Sequence, residues 1–171
     1  MKLKTAYSFD DVLLVPKISN IETRKEIDLS TSLGNSVNLR IPIVSSPMDT
    51  ITEKSMAIAL SRAGGLGIIH RYNSIEDQSA LISTSWKSLP GPGFGGAIGV
   101  SGNYLERARA LISAGVNVIC IDIAHGHHTM MRYALQTLRR TFGTKIHIMA
   151  GNVATLDGFN DLSDWGADSV R

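Results

Sequence analysis

The sequence predicts an α/β protein built on a parallel sheet, and two observations carry that prediction. Short runs rich in Ile and Val begin at residues 41, 66, 97, 118, 146 and 168, which is about the length of one strand plus one helix each time. Between them, apolar residues recur at helical spacing. Strands that alternate with helices pair in parallel through right-handed crossovers. Apolar runs of this kind suit strands covered on both faces.

The strand candidates are residues 41–46, 66–70, 97–100, 118–122, 146–150 and the short 168–171. In 52–63, Met56, Ala59, Leu60 and Ala63 share one helical face, and Thr50 with Glu53 forms a capping-box pattern. A helix over 103–114 carries Leu105, Ala108 and Ile112, and Glu106 follows Asn103 by three positions. In 128–142, Met131, Ala134, Leu135 and Leu138 fall together. Gly64, Gly115, Gly143 and Gly166 stand where helices should stop. Two stretches break the pattern. Residues 1–40 read as an N-terminal cap segment, with strands possible over 11–16 and 27–33. Residues 85–96, SWKSLPGPGFGG, read as a loop.

Composition narrows the functional classes. A net charge of +2 from dispersed Lys and Arg gives no nucleic-acid stripe. One cysteine, Cys120, allows neither an intrachain disulfide nor a cysteine metal site. The polar start lacks a signal-peptide core, and no run approaches a membrane span, so the chain reads as cytoplasmic, with no membrane partner.

Ligands in α/β proteins bind where parallel strands end, and four such places stand out. The turn Ser45–Ser46–Pro47–Met48–Asp49–Thr50 offers hydroxyls for ribose or phosphate and a thioether for a base face; the same residues would also make an ordinary capped turn. His70, Arg71 and Tyr72 end the second strand. The glycines before that strand are not a dinucleotide fingerprint, because they precede it. Asp122 shares a face with Val118 and Cys120 and reaches the mouth, where a carboxylate binds ribose hydroxyls or caps the next helix. Cys120, one step below, reads as a core thiol. Gly151 and Asn152 follow the fifth strand, a glycine for close backbone approach and an amide for a base or carboxamide. His125, His127 and His128 raise a metal-hydrolase alternative, but His127 and His128 would enter a helix in different directions, so no metal site is assigned.

Read in order, FDDVLLVPK, VSSPMDT, GGLGIIH, AIGV, CIDIAHGH and AGNVAT resemble the IMP dehydrogenase/GMP reductase family. The resemblance implies a (β/α)8 TIM barrel. A complete one needs roughly 250 residues, so 1–171 is expected to form a partial barrel, one domain of about five βα units after the cap segment. Most IMP dehydrogenases carry a CBS-domain pair where this chain has only its Pro/Gly loop. The resemblance further implies that Ser46, Met48, Asn152 and Arg171 contact the purine nucleotide, and that Asp122, Ile123, Ala124 and Arg71 contact the nicotinamide cofactor. That cofactor would be NAD for IMP oxidation to XMP, or NADP for reduction of GMP to IMP and ammonia. Ile123 looks reductase-like; SSPMDT and GGLG look dehydrogenase-like. The family chemistry passes through a covalent cysteine adduct, with the nucleophile and a monovalent-cation loop expected beyond Arg171. On this reading the isolated segment is inactive. It would be completed by further chain or by a second one, in a homotetramer. A non-catalytic nucleotide-binding relative is the alternative from another class.

Overall fold

The computed structural model describes residues 5–34, 36–83 and 93–171. Residues 5–30 bury no side chain and contain two single 3-10 turns, Phe9–Asp11 and Arg24–Glu26. The strand expected over 11–16 does not form. Asp11 instead closes a turn on the Ser8 amide at 2.8 Å and hydroxyl at 2.9 Å, and Leu13 and Leu14 find no partner strand. The strand expected over 27–33 shortens to β1 (Thr31–Leu33), which pairs antiparallel with β2 (Val37–Leu39).

Six parallel strands follow: β3 (Val44–Ser45), β4 (Leu66–Ile69), β5 (Phe94–Ile98), β6 (Val118–Asp122), β7 (His147–Gly151) and β8 (Ser169–Val170). They pair in chain order with no reversal. A doubly wound sheet reverses direction at a switch point; this one curls steadily, as a (β/α)8 barrel does. Among the described residues one helix lies in each crossover: α1 (Lys54–Ala63), α2 (Ile75–Ser83), α3 (Tyr104–Ala114), α4 (Thr129–Phe142) and α5 (Leu156–Asp164). The architecture is a partial TIM barrel.

Alternation along the strands makes two cores. Ile69, Ile98, Ile119, Ile121 and Ile148 point outward and pack with Leu111, Met131, Leu135, Leu138 and Leu162 of the helices. Leu66, Ile68, Ala97, Val118, Cys120 and Met149 point inward and pack against Val37 and Leu39 of the hairpin. Each fully buried Leu or Ile contributes about 1.5–3 kcal/mol. At the start of β7, His147 joins hairpin and barrel: Nδ1 lies 2.9 Å from the Ser36 hydroxyl and Nε2 2.8 Å from the Ser169 hydroxyl.

Three expectations shift. Strand β5 begins at Phe94, so Gly95 and Gly96 belong to it rather than to the loop; residues 85–92 lie outside the described residues. Gly95 faces inward, where an added Cβ would collide with Ile68 Cδ1 and meet Val118 Cβ at 3.4 Å. A packed barrel wall, not a turn, requires glycine there. Second, α1 starts at Lys54 with Glu53 as N-cap, and Glu53 makes no side-chain capping bond. The capping box expected from Thr50 and Glu53 therefore does not form. Third, Gly64 and Gly115 end α1 and α3 in the left-handed conformation, whereas Gly143 has φ 61° and ψ −137°, outside it.

Candidate functional site

The β3–α1 turn is held from beneath. Buried Thr52 donates its hydroxyl to the Ser46 carbonyl at 2.5 Å and lies 2.9 Å from the Ser45 hydroxyl. The Met48 amide also reaches the Ser46 carbonyl, at 2.9 Å. The Ser46 hydroxyl and the Met48 side chain are left exposed on a fixed turn. Thr52 was not nominated from the sequence. Its only signal there was a β-branched hydroxyl just ahead of a helix.

The next turn places His70, Arg71 and Tyr72. His70 is buried, and its Nδ1 accepts the Tyr72 amide at 3.1 Å. Nε2 therefore carries the proton and faces the Glu53 carboxylate at 3.4 Å. His70 is thus committed to shaping the turn, which leaves Arg71 at the mouth. Arg71 Nη2 donates to the Asp122 carbonyl at 3.3 Å, and its guanidinium lies 5.7 Å from the Tyr72 ring centre. Its Nε is buried without a hydrogen-bond partner among the described residues.

Beyond β6 and β7 the chain stays laced. Ile123 N donates to Gly151 O at 3.0 Å, Asn152 N to Ile123 O at 2.8 Å, and Gly126 N to Asn152 O at 2.6 Å. This holds Asp122, Ile123, Ala124 and Asn152 side by side, with the Asn152 side chain exposed. Gly151 admits Arg171: a Cβ there would strike the Arg171 backbone carbonyl and side chain. Arg171 Nη1 in turn binds Asp122 Oδ1 at 3.1 Å and lies 3.6 Å from Cys120 Sγ.

These turns surround one hollow of about 360 Å3. Its walls hold Ser46, Met48, Arg71, Asp122, Ile123, Ala124, Asn152 and Arg171, all eight residues nominated from the sequence, together with Pro47 and Tyr72. Two guanidiniums against one carboxylate leave a positive balance, which suits an anionic ligand. Asp122 keeps one carboxylate oxygen clear of Arg171, an acceptor for paired hydroxyls. The residues therefore fit a nucleotide or dinucleotide. Cys120 lies beneath the floor, wholly buried. Burial pushes its thiol up to about 11, against the opposing pull of Arg171, so it is a core residue and not a nucleophile.

Two of the three clustered histidines serve structure. His127 Nε2 pairs with Asp161 at 2.7 Å, and His128 caps α4 by accepting the Met130 amide at 3.0 Å. Among the described residues no group of three His, Cys, Asp or Glu side chains is placed to hold a metal ion. Nor, among them, is any helix long and apolar enough to cross a membrane. Buried Gln78 and His147 also escaped sequence reasoning. Gln78 donates to the Ile69 and Ala97 carbonyls at 3.2 and 3.0 Å, tying β4 to β5 near the mouth. His147 sits at the far end of the strands.

Comparison with known proteins agrees with this geometry. The model of the IMP dehydrogenase / GMP reductase domain matches residues 6–171. An inosine-5'-monophosphate dehydrogenase of Nitrosopumilus maritimus is 27% identical, covering 100% of this chain and 61% of that protein. One from Cryptosporidium parvum is 33% identical, covering 96% and 50%. A GMP reductase of Leishmania major is 25% identical, covering 99% and 61%. The chain thus spans between half and three-fifths of the length of these relatives. With a match over nearly its whole length, the chain belongs to the IMP dehydrogenase/GMP reductase family.

Proposed function

We propose that the protein is a purine-nucleotide oxidoreductase of the IMP dehydrogenase type, turning IMP, NAD and water into XMP and NADH. One observation carries the reading: residues nominated from four separate βα turns line a single hollow. Ser46 would meet the ribose of the purine nucleotide and Met48 its base. Asn152 would lie near the reacting carbon, and Arg171 would orient the nucleotide from across Gly151. The free oxygen of Asp122 would accept the ribose hydroxyls of the cofactor, beside Ile123, Ala124 and Arg71. A nicotinamide dinucleotide supplies the hydride chemistry when bound. The protein's part is to hold C2 of the purine against it and to exclude water until the redox step is over. The family chemistry calls for a reactive thiolate, and the buried, high-pKa Cys120 does not provide one. The homotetramer and the monovalent cation implied by the resemblance belong to the same proposal.

A second reading, GMP reductase with NADPH, is supported by Ile123 and Arg71 in the cofactor wall. Both are tested by following nicotinamide absorbance with the native full-length protein. NADH formed from IMP and NAD supports the first, and NADPH consumed with GMP supports the second. Tight nucleotide binding with neither reaction would refute both and leave a binding protein.

A further inference from the structure

One wall of the hollow is held in place from outside it. Ala124 stands in that wall. Among the described residues, neither Ala124 nor its neighbour His125 makes a hydrogen bond, and both are exposed. Their place therefore depends on the residues at either side. Before them, the Ile123 amide donates to the Gly151 carbonyl at 3.0 Å and the Ile123 carbonyl accepts the Asn152 amide at 2.8 Å. After them, three successive residues are each bound to a different part of the fold. The Gly126 amide donates to the Asn152 carbonyl, and an added Cβ there would meet that oxygen at 2.9 Å. His127 reaches Asp161 of α5 at 2.7 Å. His128 caps α4 with its own ring.

The middle anchor ties the turn to a neighbouring helix. A carboxylate only accepts, so His127 Nε2 carries the proton and donates it to Asp161 Oδ2. Helix α5 is itself fixed, by buried Leu162 and by Thr155, whose hydroxyl accepts the Gly158 amide at 3.1 Å. The His127 ring also lies 5.9 Å from the Trp165 ring at the end of α5, and Arg132 of α4 places its guanidinium 6.0 Å from that same ring. Neither His127 nor Asp161 lines the hollow. Their side chains are 33% and 48% exposed, so the pair adds little to global stability. What it can do is local: it stops the outer end of a turn whose two unbonded residues face a ligand.

We propose that His127 is a positioning residue for the dinucleotide: through Asp161 it braces the β6–α4 turn, so that Ala124 stays in the cofactor wall without His127 touching either ligand. The cofactor role rests on the oxidoreductase reading; the brace itself does not.

The test uses the native full-length protein as wild type, His127→Ala, His127→Gln, Asp161→Ala and the double alanine variant. NAD, NADPH and IMP are titrated separately by calorimetry, and hydrogen exchange follows the amides of residues 123–128. Asp161→Ala removes the same bond from outside the turn, so the test survives a misfolded His127→Ala. Each single alanine variant should weaken the dinucleotide that wild type binds by about three- to ten-fold, the range for one half-solvated bond to a carboxylate. IMP should stay within about two-fold, and the double variant should match the singles to the same margin, because all three lack one and the same bond. Glutamine sets an amide N–H where Nε2 stood and should restore most of the loss. In turnover the loss should fall on KM for the dinucleotide, with kcat unchanged. Exchange over 123–128 should speed up in the alanine variants and not in the glutamine one. If exchange speeds up but dinucleotide binding does not change, the positioning role is overturned and the oxidoreductase reading stands. Equal weakening of IMP and dinucleotide, or a double variant that multiplies the single losses, also overturns it. If wild type binds IMP but neither dinucleotide, the oxidoreductase reading fails and the cofactor role of His127 fails with it.

Discussion

Replacing Asp122 with Ala should separate the two ligands proposed for the hollow. The carboxylate is only 17% exposed; one oxygen holds Arg171 Nη1 at 3.1 Å, and the residue lines the cavity. A hydrogen bond to a charged group is worth about 1.5–3 kcal/mol net. Losing the ribose contact should therefore weaken NAD(H) by roughly ten- to a hundred-fold. The mononucleotide would feel only the release of Arg171, which still has Cys120 Sγ at 3.6 Å and stays partly solvated. Its affinity should fall by no more than about three-fold. Asp122→Asn keeps the shape and an acceptor but loses the charge, and should lie between wild type and Ala for NAD(H). Isothermal titration with each ligand measures both losses, and a thermal melt checks that the fold survives. Equal weakening of mononucleotide and dinucleotide would refute the assignment of Asp122 to the cofactor. An Asn variant as damaged as Ala for NAD(H) would contradict the graded loss.

Gly95→Ala should cost about 1–3 kcal/mol, read as a shifted midpoint in a denaturant titration, because the new methyl group is driven into Ile68 with Val118 behind it. For His147, burial is the first cause holding its pKa below the ordinary value. The unfolded chain therefore binds the proton more readily than the fold, and stability should drop as pH falls below about 6.5; His147→Gln should flatten that acid limb in pH-dependent melts. Cys120, raised by burial to about 11, should resist thiol reagents at pH 8 until denaturant is added. Because its folded pKa exceeds the unfolded one, it should make the fold lose stability as pH climbs from about 9 toward 11. A fast-reacting native thiol would contradict this placement.

Much of the barrel was legible because its signals are local. Strand β6 falls at residues 118–122 as the sequence suggests, and the stripe Met131, Ala134, Leu135 and Leu138 is the buried face of α4. What failed depended on distant partners. The glycines of β5 look like loop residues because the reason for them, Ile68 on the neighbouring strand and Leu111 on α3, is invisible along the chain. Thr52 rather than Thr50 carries the structural hydroxyl because the preceding turn claims it. The bonds of His147 reach residues 36 and 169. Residues 11–16 have strand-like composition and, among the described residues, no strand to pair with. The residues that line the hollow were legible by position more than by type: they stand where parallel strands end, and in a barrel all such positions meet at one end.

That convergence is a matter of register. Asp122 pairs with Gly151 across β6 and β7, while Cys120 sits opposite Ala97 on one side and Met149 on the other. The two-residue period that hides Val118 and Cys120 inside the barrel carries Asp122 to the mouth on the same face. Gly151, the last residue of the next strand, has no side chain to fill the space, so Arg171 crosses above the thiol and meets the carboxylate. A slip of one residue in β6 would bury Ile121 where Asp122 stands and turn the carboxylate outward among helices. The inner core, with Val118 and Cys120 packed on the hairpin residues Val37 and Leu39, opposes that slip. The packing at the closed end of the strands therefore fixes the charge pair at the open end. Substitutions under the floor should reach the proposed ligands through Arg171 without touching them.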